Sequence, residues 1–321
     1  MDEPSRDPYA ALRHEGYRRF MIGNFLANAG RQALSVAATW QIYQWTNSAT
    51  ALGLVGLVNL LPLLVFVLPA GALADRCDRR KIIIRSMIAS TVLSLLLAAV
   101  TRFHTQIPSH GLLRVANGLL RDFALIFERQ VDTATLQFDN PALPIVYLLL
   151  FLHAVVRVLG SPARGSIVPL LVPTKTLSNA VTWNSSTFEL STVVGPAIGG
   201  VIVAFSSYSF VYALDALCAL ALVFALTGVN VRPRVTVPSQ NRPGTLAGAR
   251  FIWRQQTLLA AMTLDLVAVV MGGAVMLLPI YADKILEVGP AGLGWLRAAP
   301  ALGAIVMAFL GSSGFLVAER C

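Results

Sequence analysis

Residues 71–81 read Gly71-Ala72-Leu73-Ala74-Asp75-Arg76-Cys77-Asp78-Arg79-Arg80-Lys81. Six of the last seven are charged, while 51–74 before them and 82–101 after them are almost wholly apolar. Each flank is long enough to cross a bilayer, which takes about 20 apolar residues in a helix. The cluster therefore reads as a tight turn at a membrane surface. Basic residues hold such a turn on the cytoplasmic side. That role alone does not call for Gly71 four residues before Asp75, nor for an acid followed by Arg76, Arg79 and Arg80.

The whole composition agrees with a bilayer as solvent. Of 321 residues, 56% are hydrophobic and 13% charged, and the mean hydropathy is +0.67. Soluble domains carry about 25% charged residues. So few charges cannot cover a water-facing surface of this size, which excludes a soluble enzyme, a disordered chain and a coiled coil. Cys77, Cys218 and Cys321 are odd in number and far apart, so no disulfide framework is expected.

Eight apolar segments are predicted as spans: about 20–45, 51–74, 82–101, 143–160, 179–205, 209–228, 257–281 and 291–311. The first follows a head bearing Arg6, Arg13, Arg18 and Arg19, is too long for a signal-peptide core, and is read as a retained helix. With the N-terminus placed inside, and with Arg85 and Arg157 at the span ends counted with the adjoining loops, 18 of the 25 Lys and Arg fall in cytoplasmic segments, 5 fall outside, and Arg31 and Arg297 lie deep within spans. The split supports an N-terminus in the cytoplasm, and it explains the net charge of +9 without nucleic acid. Residues 229–256, with Pro233, Pro238, Pro243, Gly244 and five arginines, read as a cytoplasmic linker between a six-helix unit (1–228) and a two-helix one (257–321). Residues 102–142 form an extracytoplasmic insertion. There Leu112, Ala116, Leu119, Phe123 and Phe127 recur at helical spacing, which fits an amphipathic helix at the outer interface; a poorly ordered insertion fits the composition equally.

The 71–81 stretch resembles the G-x-x-x-D-R-x-G-R-R pattern between helices 2 and 3 of the major facilitator superfamily. Gly71, Asp75, Arg76, Arg79 and Arg80 match; Asp78 stands where the pattern has glycine. Gly195-Pro196-Ala197-Ile198-Gly199-Gly200, late in the fifth span, resembles the G-P-x-x-G-G element of that family's antiporters. Ser191, Gly195 and Gly199 form a small-residue face suited to close helix packing in lipid. Residues 45–56 and 157–172 are similar to the branch of exporters for enterobactin-type siderophores and macrolides, although Gly160 follows Arg157 by three residues where the usual fourth-helix element has four. The resemblance covers about 10–100 and 143–311; the 102–142 insertion has no counterpart in it. It implies an all-α integral membrane protein with a six-helix facilitator-type bundle and the first two helices of a second.

Polar residues within the spans are the candidate transport groups. Asn24, Asn28, Arg31 and Ser35 are spaced 4, 3 and 4, so they share a stripe of about 60° of helix arc. An arginine facing lipid there costs at least about 2.5 kcal/mol, so the stripe is expected to face a wet cavity or an acid. Asp265 and Glu189 are the candidate coupling or pairing acids, Asp265 first because it lies near mid-span; Asp215, nearer a helix start, is expected to be structural. The four histidines, His14, His104, His110 and His153, lack metal-ligand spacing. No Walker-type motif or nucleophile motif is present, so no cofactor, no ATP and no enzyme chemistry are expected.

The reading is a secondary exporter of drugs, siderophores or similar amphipathic small molecules in the bacterial inner membrane. The resemblance implies alternating access and a proton gradient as the drive. The family pattern has twelve helices and eight are readable here, so a truncated frame or a fragment is expected. A non-transporting membrane scaffold or regulatory fragment is the alternative; a receptor or channel-like bundle has no use for the 71–81 element. The charge split predicts that a cysteine placed at Asp139 or Asn140 reacts with an impermeant maleimide from outside, and one at Ser239 only after permeabilisation. The reverse pattern would invert the topology.

Overall fold

The computed structural model describes residues 7–108, 111–127, 137–229, 253–257, 259–260, 263–264 and 273–312. Their regular structure is helical throughout: α1 Glu15–Thr46, α2 Ala49–Arg76, α3 Arg79–Arg102, α4 Leu112–Phe127, α5 Leu143–Leu171, α6 Leu177–Phe205, α7 Tyr208–Thr227 and α8 Gly289–Ser312. A broken helical run, Gly273–Leu277, Leu278–Ile280 and Tyr281–Ile285, precedes α8. Most of the expected 257–281 span and nearly all of the 229–256 linker lie outside the described residues.

The connections are set by local chemistry. Asn47 ends α1 in the left-handed conformation (φ 52°), which asparagine tolerates at a helix C-terminus. Ser48 then caps α2, its Oγ accepting from the Ala51 N–H at 3.1 Å. Asp78 caps α3 by accepting from the Arg80 N–H at 2.9 Å. Two-residue connections result at both places, so the 71–81 cluster straddles two helix ends rather than filling a loop.

Among the described residues five helices, α2, α3, α5, α6 and α7, are long and apolar enough to cross a membrane. α1 is not among them, yet 19 of its 32 residues are buried, against 6 of 28 in the more apolar α2. α1 packs along α6 and α7, α3 along α5 and α7, α2 along α5, and α8 along α6. The helix with the most polar content thus has protein for neighbours, and the most apolar one faces outward. Gly23 and Gly30 allow α7 close to α1: a Cβ on Gly30 would lie 2.8 Å from that of Cys218.

The fourth span is longer than the sequence reading had it. α5 continues from 160 to Leu171 through Pro162 and Pro169, and the Ser166 hydroxyl bonds the Pro162 carbonyl at 2.7 Å. Proline is tolerated in membrane helices where neighbours and hydroxyls satisfy the freed carbonyls. Arg157 and Arg164 therefore belong to a helix and not to a cytoplasmic loop. In the insertion, α4 forms as an amphipathic helix. Asn117 and Ala124 are buried against the bundle, while Leu112, Val115, Leu119, Phe123, Ile126 and Phe127 are exposed along one side.

The Gly195/Gly199 face packs on α1. A Cβ on Gly199 would stand 2.7 Å from Ala33 Cα and 3.0 Å from its Cβ, whereas one on Gly53 of α2 would meet nothing within 4 Å. Gly199→Ala is expected to cost about 1–3 kcal/mol by overpacking, and Gly53→Ala to be neutral or to stabilise by up to about 1 kcal/mol. Thermal melting of the purified variants followed by size-exclusion chromatography checks the pair.

Candidate functional site

Three features with chemistry emerge, at the 71–81 turn, along α6, and inside the first bundle. At the turn, Gly71 and Asp75 lie in the last turns of α2, and Arg79 and Arg80 open α3. Arg79 Nη1 donates to the Ser166 carbonyl of α5 at 2.5 Å. Arg80 donates to the last carbonyls of α7, Nε to Leu226 at 3.0 Å and Nη2 to Thr227 at 2.6 Å. The Leu226 carbonyl also accepts from the Val229 N–H at 3.2 Å, and a guanidinium at this helix end complements the negative end of the dipole. All three bonds lie within the first bundle, one to α5 and two to the C-terminus of α7. Asp75 and Arg76 are exposed on the surface.

Along α6 the glycine motif serves two neighbours. Gly195 and Gly199 face α1, where a Cβ on Gly195 would come within 2.5 Å of the Ala29 carbonyl. Pro196 and Gly200 face α8, since a Cβ on Gly294 would come within 2.5 Å of the Pro196 carbonyl and 3.2 Å of Gly200 Cα. The expected small-residue face of Ser191, Gly195 and Gly199 is thus internal to the first bundle. The crossing to the second falls on Pro196 and Gly200, around the helix from it.

Inside the bundle, α1, α3, α5 and α7 enclose a polar centre. Arg31 Nη2 donates to Asn28 Oδ1 at 2.9 Å, and both Asn24 and Asn28 are buried. Asp215 of α7, 3% exposed, accepts from the Ser94 hydroxyl of α3 at 2.6 Å. His153 Nε2 of α5 stands 3.6 Å from the same carboxylate oxygen and 3.4 Å from Ser94 Oγ. A cavity of about 90 Å³ has Arg31, Ser35, Asn59, His153 and Arg157 in its walls. A smaller one of about 20 Å³ is lined by Arg31, His153, Arg157, Arg164 and Asp215. Further out, Gln41 links Thr101 (3.1 Å) to the Tyr212 hydroxyl (2.5 Å).

Of the two acids singled out, Asp265 lies outside the described residues. Glu189 is half-buried on α6 and its carboxylate has no hydrogen bond or ion pair among the described residues. The acid that meets the cavity is Asp215. His153, Arg157 and Arg164 were also missed, although on one helix they fall within about 40° of arc. That signal was present, but it becomes visible only when the helix is carried through Pro162.

Two contacts tie the region around α8 to α1. Arg297 Nη1 donates to Ser35 Oγ at 3.0 Å, and the Tyr43 hydroxyl to Asp283 at 3.2 Å. Val36, Trp40, Ala282 and Leu293 pack between them.

Comparison with known proteins accords with this architecture. The Major Facilitator Superfamily model matches residues 20–320. Relatives include a multidrug efflux pump, Tap, of Mycolicibacterium fortuitum, 29% identical over 92% of this chain and 65% of its own length. The enterobactin exporter EntS of Shigella boydii is 25% identical over 91% of this chain and 62% of its own. Macrolide efflux protein A of Streptococcus pyogenes is 26% identical over 62% of this chain and 40% of its own. The chain spans less than two thirds of the length of each of these relatives. With a matching model over almost its whole length and the helical architecture that goes with it, the chain belongs to the major facilitator superfamily.

Proposed function

We propose that the protein built on these helices is a secondary exporter of small amphipathic molecules such as drugs or siderophores. It works by alternating access from the bacterial inner membrane, with its N-terminus in the cytoplasm. The observation that carries this is the walled polar cavity around Arg31, His153 and Arg157, in a bundle whose exterior is apolar. The relatives' names, efflux pump and exporter, point the same way.

The contacts between the two halves favour a rocking motion. Ser35, Trp40 and Tyr43 lie in the half of α1 remote from the 71–81 turn, and Gly200 lies at the same end of α6. In the proposed orientation this is an arrangement closed on the outer side. Around Gly200 and Gly294 the two helices touch backbone to backbone, a surface without interlocking side chains. Opening breaks two polar contacts, Arg297–Ser35 and Tyr43–Asp283, each a hydrogen bond to a charged side chain and worth about 1.5–3 kcal/mol. A proton gradient is the proposed drive, and Asp215 with His153 is the titratable pair the cavity holds. α4 beds its exposed apolar side in the outer face of the bilayer.

In this reading Asp75 belongs to the cytoplasmic gate and is not needed for folding. Asp75→Asn is expected to abolish export while leaving membrane levels within about twofold. The assay is efflux of a fluorescent amphiphile from cells carrying the chain together with helices 9–12 of a related exporter, supplied as a separate polypeptide. Normal efflux by Asp75→Asn would reduce the 71–81 cluster to a topology signal, and no efflux by the unmodified pair would overturn the exporter reading.

A further inference from the structure

The cavity walls are unbalanced in charge. Arg31, Arg157 and Arg164 stand there against one carboxylate, Asp215, and that carboxylate is already engaged by Ser94 and His153. The hydrogen-bond partner of Arg31 is a neutral amide, Asn28. Arg157 and Arg164 have no hydrogen bond or ion pair among the described residues. A fourth guanidinium, Arg297, reaches the rim through Ser35, and its Nε and Nη2 are buried without a partner. Hydrocarbon cannot satisfy such donors, and a guanidinium removed from water without a counter-ion is costly to keep.

We propose that this cavity binds the oxyanion head group of the exported amphiphile, a carboxylate, phosphate or similar group; the proposal rests on the exporter reading. Guanidinium presents paired donors in a planar fork that fits an oxyanion with two oxygens. The size agrees. About 90 Å³ is the space of roughly three waters at about 30 Å³ each. It suits a head group and is well short of the roughly 300–1,000 Å³ that a whole drug-sized ligand fills. Leu34, Val55 and Leu150 complete the same wall and meet the carbon that carries the head group, and the rest of the apolar body stays outside this volume. A cationic head group would meet the guanidiniums of Arg31 and Arg157 at close range, with Arg164 in the wall of the adjoining smaller cavity, and is excluded by repulsion. The site therefore selects anionic over cationic amphiphiles.

The test uses three probes of one shape and different charge: 2-naphthoate, neutral 2-naphthamide and the 2-naphthamidinium cation. Each is titrated against the purified 321-residue chain in nanodiscs, with binding read from the thermal shift and from equilibrium dialysis. 2-Naphthoate is expected to bind at least about tenfold more tightly than the cation. Arg31→Gln and Arg157→Gln are each expected to weaken it about tenfold, the size of one lost charge-assisted contact. Arg157→Lys, which keeps the charge but not the fork, is expected to bind more tightly than Arg157→Gln and more weakly than the unsubstituted chain, and it guards against a variant that merely misfolds. Arg121→Gln on the exposed side of α4 controls for the basic character of the whole chain and is expected to change nothing.

Binding of the cation as tight as the anion overturns the proposal. So does anion binding indifferent to Arg31 and Arg157, or no binding by any probe. A chain that binds 2-naphthoate in this arginine-dependent way but supports no efflux keeps the site and sinks the exporter reading. Efflux of anions and cations alike with no arginine dependence does the reverse.

Discussion

Hydrocarbon offers no hydrogen bonds, and the arrangement of this chain follows from where its polar side chains can be satisfied. α1 carries Asn24, Asn28, Arg31, Ser35, Thr39 and Gln41 on a single helix. Exposed to lipid, Arg31 alone would cost about 2.5–3.5 kcal/mol on insertion scales. The remedy is to surround α1 with α6 and α7 and to close the polar centre with α3 and α5. Arg31 and Thr39 find partners within α1 itself, and two other buried groups find theirs on different helices: Gln41 from Thr101 and Tyr212, and Asp215 from Ser94 and His153. These bonds fix the relative height and rotation of α1, α3, α5 and α7, because shifting any one of them would strand a buried donor or acceptor.

Lipid contributes little to holding apolar helices together, since their side chains are as well solvated by acyl chains as by one another. Close backbone approach and helix-end chemistry supply the rest. Gly23 and Gly30 let α7 lie against α1, and Gly195 and Gly199 let α6 do so. At the ends of the helices nearest it the arginines of the 71–81 turn act as staples: Arg79 on the carbonyl of Ser166 and Arg80 on those of Leu226 and Thr227. A turn that a sequence reader takes for a topology signal or a gate is therefore also the clamp that joins α3 to α5 and α7. Arginine suits this better than lysine, because one guanidinium can reach two carbonyls at once.

How much of this was readable in advance depended on the range of each signal. Apolar runs of membrane length are local, so the helical class emerged, and six of the eight predicted segments are helices within a few residues of the predicted bounds. The 71–81 and 195–200 motifs are local too, and both lie at helix contacts. The polar centre was read only from the α1 side. Its other members, Ser94, His153 and Asp215, come from three different helices, and no spacing along the chain links them. The predicted span stops at 160, two residues short of Pro162, and so leaves Arg164 outside a helix that continues for eleven residues beyond that point. In water a helix end before a proline is sound, since an interior proline costs about 3 kcal/mol; in a membrane bundle the Ser166 hydroxyl and neighbouring helices take up the freed carbonyls. The same rule of thumb failed because the solvent changed.

The sharing of α6 between two neighbours shows why a proline and paired glycines recur so closely there. Gly195 and Gly199 are four residues apart and lie on one face, against Ala29 and Ala33 of α1. That contact is deep and interlocked, and displacing it would expose the polar stripe beside it. Gly200 follows Gly199 by one residue, about 100° around the helix, and meets Pro290 and Gly294 of α8. One helix thus presents a fitted face to a neighbour it must hold and a smooth one to a neighbour across the interface. Two contacts of such different character cannot lie on a single face. They need small residues at adjacent positions, and the consecutive pair Gly199 and Gly200 is the shortest sequence that provides both.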